Sequence, residues 1–530
     1  MIIGDILINN VRHFADRVGL IDGQTGERRT WTEINDRVNR LANGLTGLGV
    51  GKGDRVGIVS ENSIQCAEFY FAVAKMGAIG CSFNYLLHPA QMSEHVGETG
   101  PKVIFHQERF ESLARDALTQ HGGTARLMAI DTSGRESDYE LLIADATNDE
   151  PMADVGEDDI LMITYTSGTT GVPKGVIATH KNRIALCLET NLFVDRYRWD
   201  DIVLHSTPFC IGVSGQAQLG STAFSGAATV MHVLKGDTWA EVIKREKVTA
   251  LLTTRSRLMP VWQHLDEQSA KPDLGSLKSV TTGGQPHTPD DLRRIIEFCG
   301  VSTTAKYYGL SETSTAGTRL LRHEVAAGLH PDATEKEIQR LYSVGKPLLS
   351  TRIRIVEEED NELGPGEMGE IIIKGDCVSP GYWNNAAMTE KAFRNGWFHT
   401  GDIGTFDEDG YLYIKGRKDF MINTGGIMVS AAEVENCLRR HPLVSEAAVI
   451  GVPDERWGEA VTAVVRLTEK EVNDERALHD FCRRQLAGFQ VPKRFLFVDA
   501  MPKDVQGRID IRALYRDFAG HDNEHGKGIG

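Results

Sequence analysis

The chain has 530 residues, 41% hydrophobic and 25% charged, which is ordinary for a soluble globular protein and too long for one compact core, so two or more domains are expected. Its formal net charge of -16 would repel a phosphate backbone, which excludes general nucleic-acid binding while leaving room for local basic pockets that hold a nucleotide. No apolar run approaches the about 20 residues that cross a bilayer, and the N-terminus lacks the basic start and unbroken apolar core of a signal peptide. A cytoplasmic enzyme without a membrane span is expected.

Thr30 and Glu33 form a capping-box pattern. Ile34, Val38, Leu41, Leu45 and Leu48 follow at spacings of four and three, on one face of a helix that Gly49, Gly51 and Gly53 end. Arg55–Val59 reads as a buried strand, Phe69–Met76 as a helix, and Lys102–Phe105 and Arg126–Ile130 as strands. This alternation predicts α/β layers around a largely parallel sheet. Beyond about residue 340 the strands shorten, at Arg352–Val356, Glu370–Lys374 and Tyr411–Lys415, with turn signals at Gly364-Pro365-Gly366 and Asp409-Gly410. An antiparallel or β-barrel-like subdomain is expected there. After Gly416-Arg417-Lys418-Asp419, helices over Ala431–Arg440 and Glu475–Leu486 and paired strands Ala447–Gly451 and Ala460–Arg466 predict a small α+β C-terminal domain. The tail Gly520–Gly530 reads as disordered. The eight cysteines are scattered singly, with no C-x-x-C pair or metal-ligand spacing, so buried free thiols in a reducing compartment are expected.

The strongest chemical signal is Thr164-Tyr165-Thr166-Ser167-Gly168-Thr169-Thr170-Gly171-Val172-Pro173-Lys174-Gly175, directly after the apolar strand Ile160–Ile163. Glycines and small hydroxyl residues let amide N–H and O–H groups approach phosphate closely, and a terminal lysine adds a point charge. It is not a Walker loop, because Pro173 stands where that loop needs glycine.

Further motifs follow in a fixed order: Tyr308-Gly309-Leu310-Ser311-Glu312, Gly345-Lys346-Pro347, Gly366-Glu367-Met368-Gly369-Glu370, Gly381-Tyr382-Trp383, Trp397–Asp402, Gly416-Arg417-Lys418-Asp419 and Gly425-Gly426. With the phosphate loop, they make the chain resemble the adenylate-forming superfamily of acyl-CoA synthetases, luciferases and peptide-synthetase adenylation domains, over roughly residues 10–515. The resemblance implies an AMP-forming acyl-CoA ligase that takes a small carboxylic acid, ATP, Mg²⁺ and coenzyme A as co-substrate; a homodimer stays open. It implies a large N-terminal ATP- and acyl-binding domain over residues 1–416, a hinge at 417–420 centred on Asp419, and a mobile C-terminal domain over 421–530.

The same resemblance implies roles residue by residue. Thr166, Ser167, Gly168, Thr169, Thr170, Gly171 and Lys174 would hold the β- and γ-phosphates. Gly283, Gly284 and Gln285 would edge the adenine pocket, with Tyr308 stacked on the base beside Gly309. Ser311 would donate to the α-phosphate and Glu312 would hold Mg²⁺, a hard cation suited to carboxylate and phosphate oxygens. Asp402 would accept the ribose hydroxyls with help from Arg417, and Gly425 and Gly426 would line the thiol tunnel. The plainer alternatives are a core tyrosine at 308 and a turn carboxylate at 402. Acyl-pocket shape would be set jointly by residues around 205–220, 252–258, 281–287 and 307–317.

Four departures from the family pattern stand out. Arg508, in Pro502–Ile509, occupies the place of the adenylation lysine, and a planar fork is not equivalent to a compact ammonium. Three readings stay open: Arg508 works more slowly, it is a deliberate substitution, or efficient adenylation has been lost. Lys503 lies nearby and is not assigned the role. A histidine of the acyl-pocket entrance is missing from Thr207–Gly215, and a proline is missing from Thr253–Arg257. There Arg255 or Arg257 either pairs with a second carboxylate on the substrate or is a surface or interdomain arginine. Asn423 and Ala431 replace a lysine and a proline around the glycine pair. Two other functions compete: an adenylating enzyme with a carrier protein or amine as acceptor, and a nucleotide-binding protein with impaired adenylation. The absence of an Asp near residues 209–213 argues against amino-acid activation.

Overall fold

The capping box at Thr30 is formed: Thr30 Oγ1 accepts from the Glu33 amide and the Glu33 carboxylate accepts from the Thr30 amide at 2.7 Å. The helix Trp31–Gly47 that follows buries Ile34, Val38, Leu41 and Leu45 on one face, and Leu48 is its C-cap. This is a computed structural model, and it describes residues 1–133, 136–166, 174–210, 212–233, 238–255, 257–258, 262, 273–285, 287–424, 427–468, 475–504 and 507–519. The tail Gly520–Gly530 lies outside them. The chain forms two compact units, one of Met1–Ile353 with Ile372–His399, the other of Arg354–Ile371 with Thr400–Gly530.

The first unit holds two sheets. One runs Arg126–Ala129, Val103–His106, Arg55–Val59, Ile79–Ser82, Ile160–Thr166, Lys174–Thr179, parallel throughout except for the last pair. The other has nine strands, with a parallel centre from Thr304–Tyr308 through Ser279–Gly283, Ala250–Thr253, Ile202–His205 and Ala228–Met231 to Val18–Asp22, and antiparallel strands at both edges. The helix Ile64–Met76 starts at the N-cap Ser63 and is buried on every side, with Phe69, Tyr70 and Phe71 in the same core cluster as Trp31, Phe105 and Leu219. A helix wrapped by protein needs no polar stripe, so hydrophobic periodicity marks only part of it.

A buried ion pair ties this helix to Trp31–Gly47. Arg37 Nε donates to Glu68 Oε1 at 2.5 Å and Arg37 Nη2 to Glu140 Oε1 at 2.6 Å, while the Tyr139 hydroxyl donates to Glu68 Oε2 at 2.7 Å. Burial pushes the fully enclosed Glu68 carboxyl up, and Arg37 opposes that rise. Arg37→Met would strand the carboxylate, at an expected cost of about 3–5 kcal/mol. A carboxyl raised in the fold is destabilising once ionised, and the loss shrinks as pH falls through its folded value. Denaturant melts of the variant should therefore show a smaller deficit at about pH 5 than at about pH 8.

The short strands Thr351–Val356, Gly369–Gly375, Trp397–Phe406, Phe393–Arg394 and Leu412–Arg417 form a five-stranded sheet, the barrel-like subdomain expected. Within the second unit, Ile427–Ser430, Met421–Thr424, Gly458–Leu467 and Val444–Asp454 make an antiparallel sheet that Arg494–Phe497 extends in parallel. Alternation along Val444–Asp454 gives this sheet two dry faces. Ala447 and Val449 cluster with Val434 and Leu438 of the helix Ala431–Leu438 and with Leu478 of Glu475–Gln485. Ala448, Ile450 and Val452 cluster with Leu514 of the helix Ile511–Ala519, an element the sequence reading did not mark. The fold is thus α/β, with a large N-terminal part, a subdomain of short strands and a small α+β C-terminal part. All eight cysteines are free and buried. Among the described residues no helix is long and apolar enough to cross a membrane.

Candidate active site

The last two strands of the six-stranded sheet form a hairpin in which Thr166 lies opposite Lys174. Ser167, Gly168, Thr169, Thr170 and Gly171, between them, lie outside the described residues. The segment from Ser379 to Trp383 is zipped onto the second hairpin strand: Ser379 Oγ donates to the Ile177 carbonyl at 2.6 Å, and the Trp383 amide donates to the Gly175 carbonyl at 2.7 Å. This seating puts the Tyr382 ring beside the lysine, with Lys174 Nζ 5.4 Å from the ring centroid. The Tyr382 hydroxyl in turn donates to Glu312 Oε1 at 2.8 Å.

Glu312, only 9% exposed, sits in the short 3-10 turn Ser311–Thr313, with half-buried Ser311 beside it. Local chemistry fixes that turn. Thr313 Oγ1 accepts from the Leu310 amide at 3.1 Å, and the Ser379 amide donates to the Glu312 carbonyl at 2.7 Å. Ser314 and Thr315 are left-handed, and a side chain on Gly309 would bring its Cβ to 2.3 Å from the Thr315 carbonyl oxygen, so only glycine fits. Tyr308, immediately before, is buried at the end of Thr304–Tyr308. Gly283 ends the neighbouring parallel strand opposite Tyr307, with left-handed Gly284 and half-buried Gln285 following. The carboxyl ends of two adjacent parallel strands therefore present Tyr308 and the Gly283–Gln285 edge, where α/β sheets hold nucleotides.

In the second unit, Asp402 is 7% exposed and faces Arg417 across paired strands. Arg417 Nη1 donates to Asp402 Oδ1 at 2.9 Å and to the Thr400 carbonyl at 3.1 Å, and the Asp402 amide donates to Thr400 Oγ1 at 3.0 Å. Asp419 is exposed in the short turn Lys418–Phe420. Gly425 and Gly426 lie outside the described residues.

A family model described as AMP-binding enzyme matches residues 7–383, and a second, AMP-binding enzyme C-terminal domain, matches residues 433–508. The chain belongs to the AMP-binding enzyme family. It is 33% identical over 508 residues to the long-chain-fatty-acid–CoA ligase FadD13 of Mycobacterium tuberculosis, covering 94% of each chain. It is 32% identical over 495 residues to a feruloyl-CoA synthase of Amycolatopsis sp., covering 93% of this chain and 94% of that one. The o-succinylbenzoate coenzyme A synthetase of Bacillus subtilis, solved in complex with ATP and magnesium ion, matches with a TM-score of 0.80 at 26% identity, over 97% of this chain and 99% of that one. The chain is an enzyme of the AMP-forming acid–CoA ligase family.

As an AMP-binding enzyme it departs from the family pattern at places the structure describes. Arg508 Nε and Nη2 both bind Asp504 Oδ2, at 2.8 and 2.7 Å. Lys503 pairs with Glu446, which also holds Arg466 at 3.0 Å. Cys210 is buried with its Sγ 3.8 Å from Asn84 Oδ1. Arg255 Nε donates to Asp291 Oδ1 at 2.8 Å, whereas Arg257 makes no side-chain hydrogen bond or ion pair among the described residues. Ala431 opens a helix capped by Ser430, a position proline also favours. Sequence reasoning missed two supports. Tyr382 carries no role in the motif Gly381-Tyr382-Trp383 as read from sequence, and the only signal there is an aromatic between two motif residues. Gln216 accepts from Thr164 Oγ1 and Arg183 Nη2, both at 3.2 Å, and donates to Ser82 Oγ at 2.7 Å, fixing the root of the phosphate hairpin. No local pattern announces it.

Proposed function

We propose that the protein is an ATP-dependent carboxylate–CoA ligase that forms acyl-AMP and pyrophosphate and then acyl-CoA. The observation that carries this reading is the grouping of Lys174, Tyr382 and Glu312 against the hairpin that bears the hydroxyl-rich loop. Thr166, Lys174 and the loop between them hold the β- and γ-phosphates; Gly283, Gly284, Gln285, Tyr308 and Gly309 form the adenine site; Ser311 donates to the α-phosphate; Asp402, steadied by Arg417, accepts the ribose hydroxyls.

Glu312 fits Mg²⁺: its carboxylate is nearly buried, Oε1 is anchored by Tyr382, and Oε2 has no hydrogen bond among the described residues. A Mg²⁺ held there would take its remaining ligands from phosphate and water, as this cation commonly does, and would offset charge on the phosphate oxygens. The acid's carboxylate oxygen attacks the α-phosphorus in line, the bond to the bridging oxygen breaks, and pyrophosphate leaves. Arg508 bridges the acid carboxylate and the α-phosphate. The CoA sulfur then attacks the acyl carbon, losing its proton, and AMP departs. Asp419 is the hinge residue between the two half-reactions, and Gly425 and Gly426 line the path of the thiol.

The test is a panel of carboxylic acids with ATP and Mg²⁺, with and without CoA, read as pyrophosphate release and as thioester. Both signals should appear together with CoA. Pyrophosphate without thioester would assign a different acceptor, and silence across the panel with ATP binding intact would overturn the ligase reading.

A further inference from the structure

The edge of the adenine site is made mostly of backbone, so its place depends on what packs and ties it from outside. Gly283 is pressed against Tyr307: a side chain on Gly283 would bring its Cβ to 2.5 Å from that ring. Gly284, exposed and left-handed, faces the other way, and its Cβ would stand 3.8 Å from the Thr254 methyl. The edge therefore runs between the carboxyl ends of Thr304–Tyr308 and Ala250–Thr253, the two strands that flank Ser279–Gly283.

Two ties hold the connection from this strand to the helix Pro289–Cys299. Thr282 Oγ1 and His287 Nε2 share a buried hydrogen bond at 2.8 Å, which closes the connection onto its own strand. The helix begins at its N-cap Thr288, whose amide and Oγ1 donate to Asp291 Oδ2 at 2.8 and 2.9 Å. That leaves Asp291 Oδ1 for Arg255, whose Nε donates to it at 2.8 Å. One carboxylate thus fastens the start of the helix with one oxygen and the neighbour of Thr254 with the other. The Asp291 side chain is 12% exposed, and a charged hydrogen bond with so little water around it is stronger than one on the open surface. Thr253–Arg257 also lacks the proline of the family pattern, whose ring would fix a backbone angle. Here the ion pair ties that segment to the helix instead.

We propose that Arg255 is a positioning residue for the adenine base: through Asp291 it holds Thr254 and the helix start on either side of the edge that Gly283, Gly284 and Gln285 present to the nucleotide. The inference rests on the nucleotide site of the ligase reading above. It concerns the base alone, because the phosphate hairpin of Thr166 and Lys174 belongs to the other sheet. The test titrates the full-length protein with ATP and with inorganic tripolyphosphate, both with Mg²⁺, by calorimetry. Arg255→Ala should weaken ATP about tenfold, the scale of one hydrogen bond to a charged group, and tripolyphosphate by less than about twofold. Arg255→Lys should recover part of the loss. Asp291→Asn should lose about as much as Arg255→Ala, and the double variant no more than either, because all three remove one interaction. In thioester formation KM for ATP should rise while kcat at saturating ATP holds, and melting shows that each variant folds. Unchanged ATP affinity, an equal loss for both ligands or additive losses in the double variant would each overturn the inference and leave the ligase reading intact. If ATP binds but no acid turns over, the ligase reading fails and the titrations still decide the inference. A chain that does not bind ATP overturns both.

Discussion

Glu312→Gln is expected to lower acid-dependent pyrophosphate release by about 10²–10³-fold while leaving the melting temperature unchanged. The substitution keeps the shape of the side chain and an oxygen for the Tyr382 hydroxyl, so the 3-10 turn and the Ser379 contact persist. What it removes is the charge. A neutral amide oxygen is a weaker Mg²⁺ ligand than a carboxylate, so raising Mg²⁺ should return part of the rate, a response that a merely structural role would not give. Tyr382→Phe should cost less, about tenfold, because it deletes one hydrogen bond to a charged group and leaves the charge in place. Full activity of Glu312→Gln at limiting Mg²⁺ would remove Glu312 from the reaction.

Much of the fold is legible in the sequence because local and global preferences agree. The Thr30 capping box, the Arg55–Val59 strand and the paired strands around Ala447 and Ala460 all fall where periodicity and capping put them. The elements that periodicity misses, or marks only in part, are ones whose surroundings are not written locally. Ile64–Met76 is enclosed on all sides, and Ile511–Ala519 is defined by the sheet face it covers. The site divides in the same way. Residues in contiguous motifs, such as Thr166, Lys174, Glu312 and Asp402, can be singled out from sequence because the motif itself marks them. Partners brought from afar are not: Tyr382 reaches Glu312 across 70 positions, and Gln216 reaches Ser82 across 134. Arg255 and Arg257 are indistinguishable in sequence, and only packing shows that Arg255 is the one paired with Asp291.

Arg508→Ala should lower the first half-reaction by about 10²-fold or more, the scale of losing one charged donor from a developing oxyanion. It should leave thiolysis of pre-formed acyl-AMP by CoA nearly untouched, so the two half-reactions must be measured separately. The side chain is not idle in the structure. Both of its nitrogens that face Asp504 bind the same carboxylate oxygen, and the turn around them is closed by the Asp504 amide on the Arg508 carbonyl at 2.7 Å. Bridging the acid and the α-phosphate therefore requires Arg508 to leave Asp504. The pair is partly exposed, and such pairs hold by only about 1 kcal/mol or less, so the release slows the step without forbidding it. Asp504→Asn should accordingly speed adenylation severalfold, by weakening the competitor. Arg508→Lys tests geometry at constant charge: a compact ammonium reaches a point between two anions without the planar constraint of the fork, and should adenylate faster than the arginine. A slower lysine variant would mean that the pocket is fitted to a guanidinium. An alanine variant with the full first half-reaction would take residue 508 out of adenylation altogether and pass the charge role to another group of the site.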